Sequence, residues 1–142
     1  TMGTRSRIGI QLQDNSVLSV YCHYDGYPEF NGRVLRDNYD TIEKVRNLID
    51  GGDMSCTWTN AGWNNETLPE SGPLHYTARG ESLESNAPRL DDSIFEFIKD
   101  KNNNEEYAYI WSLNNEWKCV KMNQFNDNDP EFVEIPVGSI GE

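Results

Sequence analysis

Near the N-terminus, two runs of alternating apolar and polar side chains flank a turn, and this pair limits the fold more tightly than any other feature. Residues 7–13 set Ile8, Ile10 and Leu12 between Arg7, Gly9 and Gln11, and residues 17–24 put Leu18, Val20 and Cys22 on one face. A period of two marks a half-buried strand. Asp14-Asn15-Ser16 between the runs has turn chemistry, so the spacing predicts a β-hairpin. A two-residue loop would set Ile10 against Ser19 and mix the faces. A three-residue loop, with Leu12 opposite Leu18, Ile10 opposite Val20 and Ile8 opposite Cys22, keeps one face apolar. The other face then carries Gln11/Ser19, Gly9/Tyr21, Arg7/His23 and Arg5/Asp25.

A second hairpin is expected from residues 105–113 and 116–122 about Asn114-Asn115, with short strands at 53–59 and 74–77. Helical spacing appears in three places. Asn31 would cap a helix carrying Val34, Leu35 and Tyr39. Asp40 with Glu43 would open a second, whose face is Ile42, Val45, Leu48 and Ile49 and which Gly51-Gly52 ends. Asp91 or Asp92 would cap a third, buried through Leu90, Ile94, Phe95, Phe97 and Ile98. Residues 60–74 and 78–90 read as loop. The fold class expected is α+β: an antiparallel sheet of about four to six strands with about three short helices packed mainly on one face. The 142 residues fit one domain over residues 1–122, followed by an acidic extension, 123–142, that is either an edge strand or a flexible tail.

Charge narrows the function. Acidic residues number 24 against 12 basic, a net charge of −12, which disfavours long nucleic acid and anionic membranes as partners. No apolar run reaches the length of a membrane span. The start, Thr1-Met2-Gly3-Thr4, leads directly into a strand pattern with no signal peptide expected. Three cysteines, Cys22, Cys56 and Cys119, form no C-x-x-C pair and read as buried free thiols in a reducing cytoplasm.

The runs Thr4-Arg5-Ser6-Arg7-Ile8-Gly9-Ile10 and Tyr21-Cys22-His23-Tyr24-Asp25-Gly26-Tyr27-Pro28-Glu29 carry a resemblance. So do Gly51-Gly52-Asp53-Met54-Ser55, Pro88-Arg89-Leu90 and Glu106-Tyr107-Ala108-Tyr109. Over residues 2–122 the chain resembles a family of small phage- and cyanophage-encoded proteins that brings no activity with it. The resemblance implies work inside an infected bacterium, in the host cytoplasm, where small phage proteins often disable a host enzyme or a defence signal.

The residues themselves suggest one site. Arg5, Arg7, Tyr21, His23 and Asp25 share the polar hairpin face, and Tyr24, Tyr27 and Arg33 lie near them in sequence. Guanidinium groups grip phosphate in bidentate fashion and aromatic rings stack on bases. Trp63, in the polar run Ala61-Gly62-Trp63-Asn64-Asn65, is the best candidate for an exposed aromatic contact. The competing explanation is a solvated sheet face with cross-strand ion pairs.

A metal set of His23, Asp25 and His75 lacks supporting motifs. Cys22 cannot meet its neighbour His23 across a strand, and Asp127-Asn128-Asp129 lacks the glycine and distal glutamate of a calcium loop. No cofactor, metal or catalytic residue is expected. The reading is a non-enzymatic protein that sequesters a small anionic, nucleotide-like ligand. Its rivals are an acidic inhibitor of a host enzyme acting on nucleic acid, motivated by clusters such as Asp91-Asp92 and Glu105-Glu106, and a phosphoesterase using His23 and Asp25. An edge strand in either hairpin could pair across a two-fold axis, so a homo-oligomer is a further expectation.

Overall fold

The computed structural model describes residues 4–57, 72–99, 105–123 and 128–138. The N-terminal hairpin forms from β1 (Ser6–Gln11) and β2 (Val17–Cys22). Its turn is residues 13–15, closed by Leu12 N donating to Ser16 O at 2.8 Å, with Asn15 at φ 72°. Asn tolerates this left-handed conformation. The register is two residues from the expected one: Ile10 faces Leu18, Ile8 faces Val20, Gly9 faces Ser19 and Arg7 faces Tyr21. A shift of two preserves side-chain parity, so the apolar face is as expected but the polar pairs are corrected.

Strand β1 is central, and the sheet is mixed rather than antiparallel. On one side of β1 lies β6 (Tyr107–Trp111), parallel to it, then β7 (Trp117–Lys121) and β8 (Glu131–Val133), each antiparallel to its neighbour. On the other side, β2 shares its outer edge between two strands. β5 (Arg89–Asp91) pairs with Val17 to Ser19, and β3 (Met54–Cys56) meets Cys22 in parallel, with β4 (Leu74–His75) beyond it. Eight strands and three α-helices are present among the described residues, an α+β fold. The parallel β1–β6 pair is possible because all three helices lie in the chain between β2 and β6 and supply a long crossover.

The helices also occupy both faces. α1 (Arg33–Asn38) and α2 (Ile42–Asp50) bury Val34, Leu35, Val45, Leu48 and Ile49 against Ile8, Ile10, Val20 and Cys22. α3 (Ile94–Lys99) covers the opposite face, where Phe97 joins Val17, Ala108, Ile110 and Val120. Small residues admit it. A Cβ on Gly9 would lie 2.7 Å from Val17 Cγ1 and 3.3 Å from Phe97 Cζ. The face read as polar is therefore covered near Gly9.

Local signals also resolve differently from expectation. The α2 cap is Thr41, whose Oγ1 accepts from Lys44 N at 3.2 Å, while Asp40 instead pairs with Lys44 Nζ. α3 is capped by Ser93 accepting from Glu96 N, and Leu90 and Phe95 are 59% and 68% exposed rather than buried. Residues 78–90 contain short helical turns and β5. Asn31 caps nothing. It sits fully buried in a wide turn, Pro28–Gly32, donating to Ser6 Oγ and Cys22 Sγ and accepting from Thr57 Oγ1 at 2.7 Å. No helix among the described residues is long and apolar enough to cross a membrane.

Candidate functional site

The polar hairpin face divides into a buried part and an open edge. Arg7 belongs to the buried part and is 5% exposed. Its Nε donates to Ser19 Oγ at 3.0 Å and its Nη2 to Ser19 O at 3.1 Å. Burial lowers its pKa first, then the nearby Arg89, while Glu105, Asp53 and Asp91 oppose the shift. Asp53 accepts from Tyr21 N at 2.9 Å, and its own pKa is raised by burial. Arg89 pairs with Asp91 at 3.0 Å. This is a charge network inside the fold. A ligand at the surface does not reach Arg7 in this conformation.

The open edge holds Arg5, Tyr21, His23 and Tyr24. Strand alternation puts Arg7, Tyr21 and His23 on one side, and Arg5 and His23 follow directly on the last ladder pair, Ser6 with Cys22. The Tyr21 hydroxyl lies 2.7 Å from His23 Nδ1. The charge of Arg5 lowers the pKa of the same hydroxyl, but burial dominates and raises it. His23 is pushed below its ordinary value, by burial first and then by the Arg5 charge, so it is neutral at pH 7. A neutral His23 that accepts from the phenol carries its proton on Nε2, a donor for a ligand oxygen. The Tyr24 ring meets His23 edge-on at 4.4 Å and is 42% exposed. One cation, two neutral hydrogen-bonding groups and an open ring thus converge on one rim.

The remaining candidates lie apart from this rim or in the loop beside it. Asp25 adopts φ 59° and accepts from Tyr27 Oη at 3.3 Å, and the expected pairing with Arg5 is not among the ion pairs of the described residues. Tyr27 is 37% exposed. Arg33 belongs to the helical layer and donates to Val137 O at 2.9 Å. Trp63 lies outside the described residues. His75 bonds Leu48 O at 2.9 Å and is not brought into a metal set with His23; among the described residues no three His, Cys, Asp or Glu groups are arranged to hold an ion. Cys22, Cys56 and Cys119 are buried and free, and burial raises the Cys22 and Cys119 thiols to about 12.

A second feature was not read from the sequence. A cleft of about 560 Å³ opens where β7 and the chain after β8 separate, lined by Trp111, Trp117, Arg36, Asp40, Glu116 and Glu134 among others. The tryptophans were legible only as cross-strand packing. Arg36, Asp40 and residues 132–135 come from distant segments, so no local pattern announces the cleft.

No protein-family model, no curated protein and no solved structure matches the chain.

Proposed function

We propose that this is a non-enzymatic, phage-encoded binding protein that sequesters a small anionic, nucleotide-like ligand during host takeover or counter-defence. The observation that carries the reading is the convergence of Arg5, the Tyr21 hydroxyl and His23 Nδ1 on one rim beside the exposed Tyr24. Arg5 supplies the charge for a phosphate or carboxylate. His23 Nε2 donates to one of its oxygens while the Tyr21 hydroxyl holds the ring through Nδ1, and Tyr24 offers a face to a base. The local cation counts because the net charge of −12 repels anions elsewhere.

The test is a thermal-shift screen against linear and cyclic nucleotides, run on wild type and Arg5→Ala. A ligand at ~100 times its Kd stabilises by about 2.7 kcal/mol, which shifts the melting temperature of a domain this size by several degrees. The expected result is a shift in wild type that Arg5→Ala loses. No shift across the panel transfers the proposal to a protein partner, the acidic-inhibitor reading. Turnover of a bound phosphoester that His23→Ala abolishes replaces binding with catalysis.

A further inference from the structure

The cleft beside Trp117 is independent of the Arg5 rim, and its chemistry is opposite in sign. Its shape is built by the fold. Beyond Val133, which faces Cys119, the next register position would set Ile135 against Trp117. Ile135 instead packs onto the turn that leads into α1, where a Cβ on Gly32 would lie 2.9 Å from Ile135 Cγ2. Arg36 then fixes the departing chain by donating to Pro136 O and Gly138 O, and Arg33 does so through Val137 O. The strands are held apart and the gap between them is the cleft. A volume of about 560 Å³ falls within the range of small-molecule sites.

The floor is aromatic and rigid. Trp117 packs against Trp111 at 5.5 Å between ring centroids and an interplanar angle of 70°. Its Nε1 donates to Tyr39 O at 2.8 Å, which fixes the indole plane. Trp117 is only half-buried, so part of this fixed ring faces solvent. An indole face attracts cations more strongly than other aromatic faces do.

The rim is acidic. Three carboxylates, Asp40, Glu116 and Glu134, line it beside two cations, Arg36 and Lys118, and Asp40 also pairs with Lys44 Nζ at 3.1 Å. Arg36 is already committed to Asp37 and two carbonyls, and Lys118 lies 4.0 Å from Glu116. Glu134 forms no ion pair with a described cation. The net charge of −12 adds a field that draws cations in. We infer that the cleft is a binding site for a compact organic cation of the quaternary-ammonium class, seated on the Trp117 ring beside the unpaired Glu134 and the loosely paired Glu116.

The experiment uses choline as the probe and 3,3-dimethylbutan-1-ol, its uncharged isostere, as the control. The readout is the set of indole N–H resonances in a nitrogen–proton correlation spectrum, with Trp117 assigned from Trp117→Phe. Choline is expected to move the Trp117 resonance saturably at millimolar concentration and to bind about tenfold more tightly than the neutral isostere. The double variant Glu116→Gln, Glu134→Gln changes only exposed rim groups. It should weaken choline severalfold while leaving the isostere unaffected, and Arg5→Ala should leave choline binding unchanged. Equal affinity for choline and the isostere would reduce the cleft to an apolar depression and overturn the assignment. So would a Trp117 resonance that choline does not move, or undiminished choline affinity in the double variant.

Discussion

Two arginines two residues apart do different work. Arg7 is buried with its donors on Ser19, amid Asp53, Asp91, Glu105 and Arg89, whereas Arg5 sits at the rim beside Tyr21 and His23. Removing the Arg7 guanidinium leaves the buried Ser19 hydroxyl and carbonyl without their donors, at about 1–3 kcal/mol. Arg7→Ala should therefore lower the urea midpoint markedly, while Arg5→Ala should unfold with wild type. Equal midpoints for all three proteins would contradict the buried network. Asn31 is a second such node, tying β1, β2 and Thr57 together. Asn31→Ala leaves Thr57 Oγ1 without its acceptor and should cost about 1–3 kcal/mol, read from the same denaturation curves. The thiols follow from the same burial. With Cys22 and Cys119 raised to about 12 and all three cysteines buried, alkylation in native buffer should be negligible and should appear only on unfolding.

At the level of elements, α3 depends on what β1 lacks. Gly9→Ala would press a methyl group into Val17 Cγ1 at 2.7 Å and towards Phe97. Overpacking of this kind costs about 1–3 kcal/mol. Amide exchange should show α3 losing protection before α2 does, and uniform loss across both helices would contradict the two-layer packing. The elements also show what the sequence disclosed. Alternation at 8, 10, 12 and 18, 20, 22 gave the N-terminal hairpin and its apolar face, and the 3.6-residue spacing of Ile42, Val45, Leu48 and Ile49 gave α2. The parallel β1–β6 pair was hidden because nothing local specifies a partner so far along the chain. The second covered face was misread because Arg7, Gly9 and Ser19 count as polar by type. Gly9 was the available sign of a close approach, but the expected register set it opposite Tyr21, whereas the structure sets it opposite Ser19. The rim was partly legible: parity put Arg5, Tyr21 and His23 together, but burial of Arg7 and the tether from Arg33 to Val137 depend on segments the hairpin pattern does not contain.

On the scale of the whole molecule, a strongly acidic protein carries Arg5 and His23 together on an open edge, and its behaviour should depend on pH. The folded His23 pKa lies below its unfolded value, so the unfolded chain binds more protons in the window just below pH ~6.5. This contribution to stability is present above that window and is lost as pH falls through it. Under the proposed function, binding should respond in the opposite direction. Protonated His23 adds a second positive charge beside Arg5, so affinity for an anion should rise on acidification, and a bound anion should raise the His23 pKa by linkage. The most direct measurement is therefore an NMR titration of the His23 ring, assigned from His23→Gln, with and without a saturating nucleotide monophosphate. The free protein should titrate below pH ~6.5, and the nucleotide should move that midpoint upward. A His23 midpoint identical in the two titrations would contradict an anion site at the Arg5, Tyr21 and His23 rim.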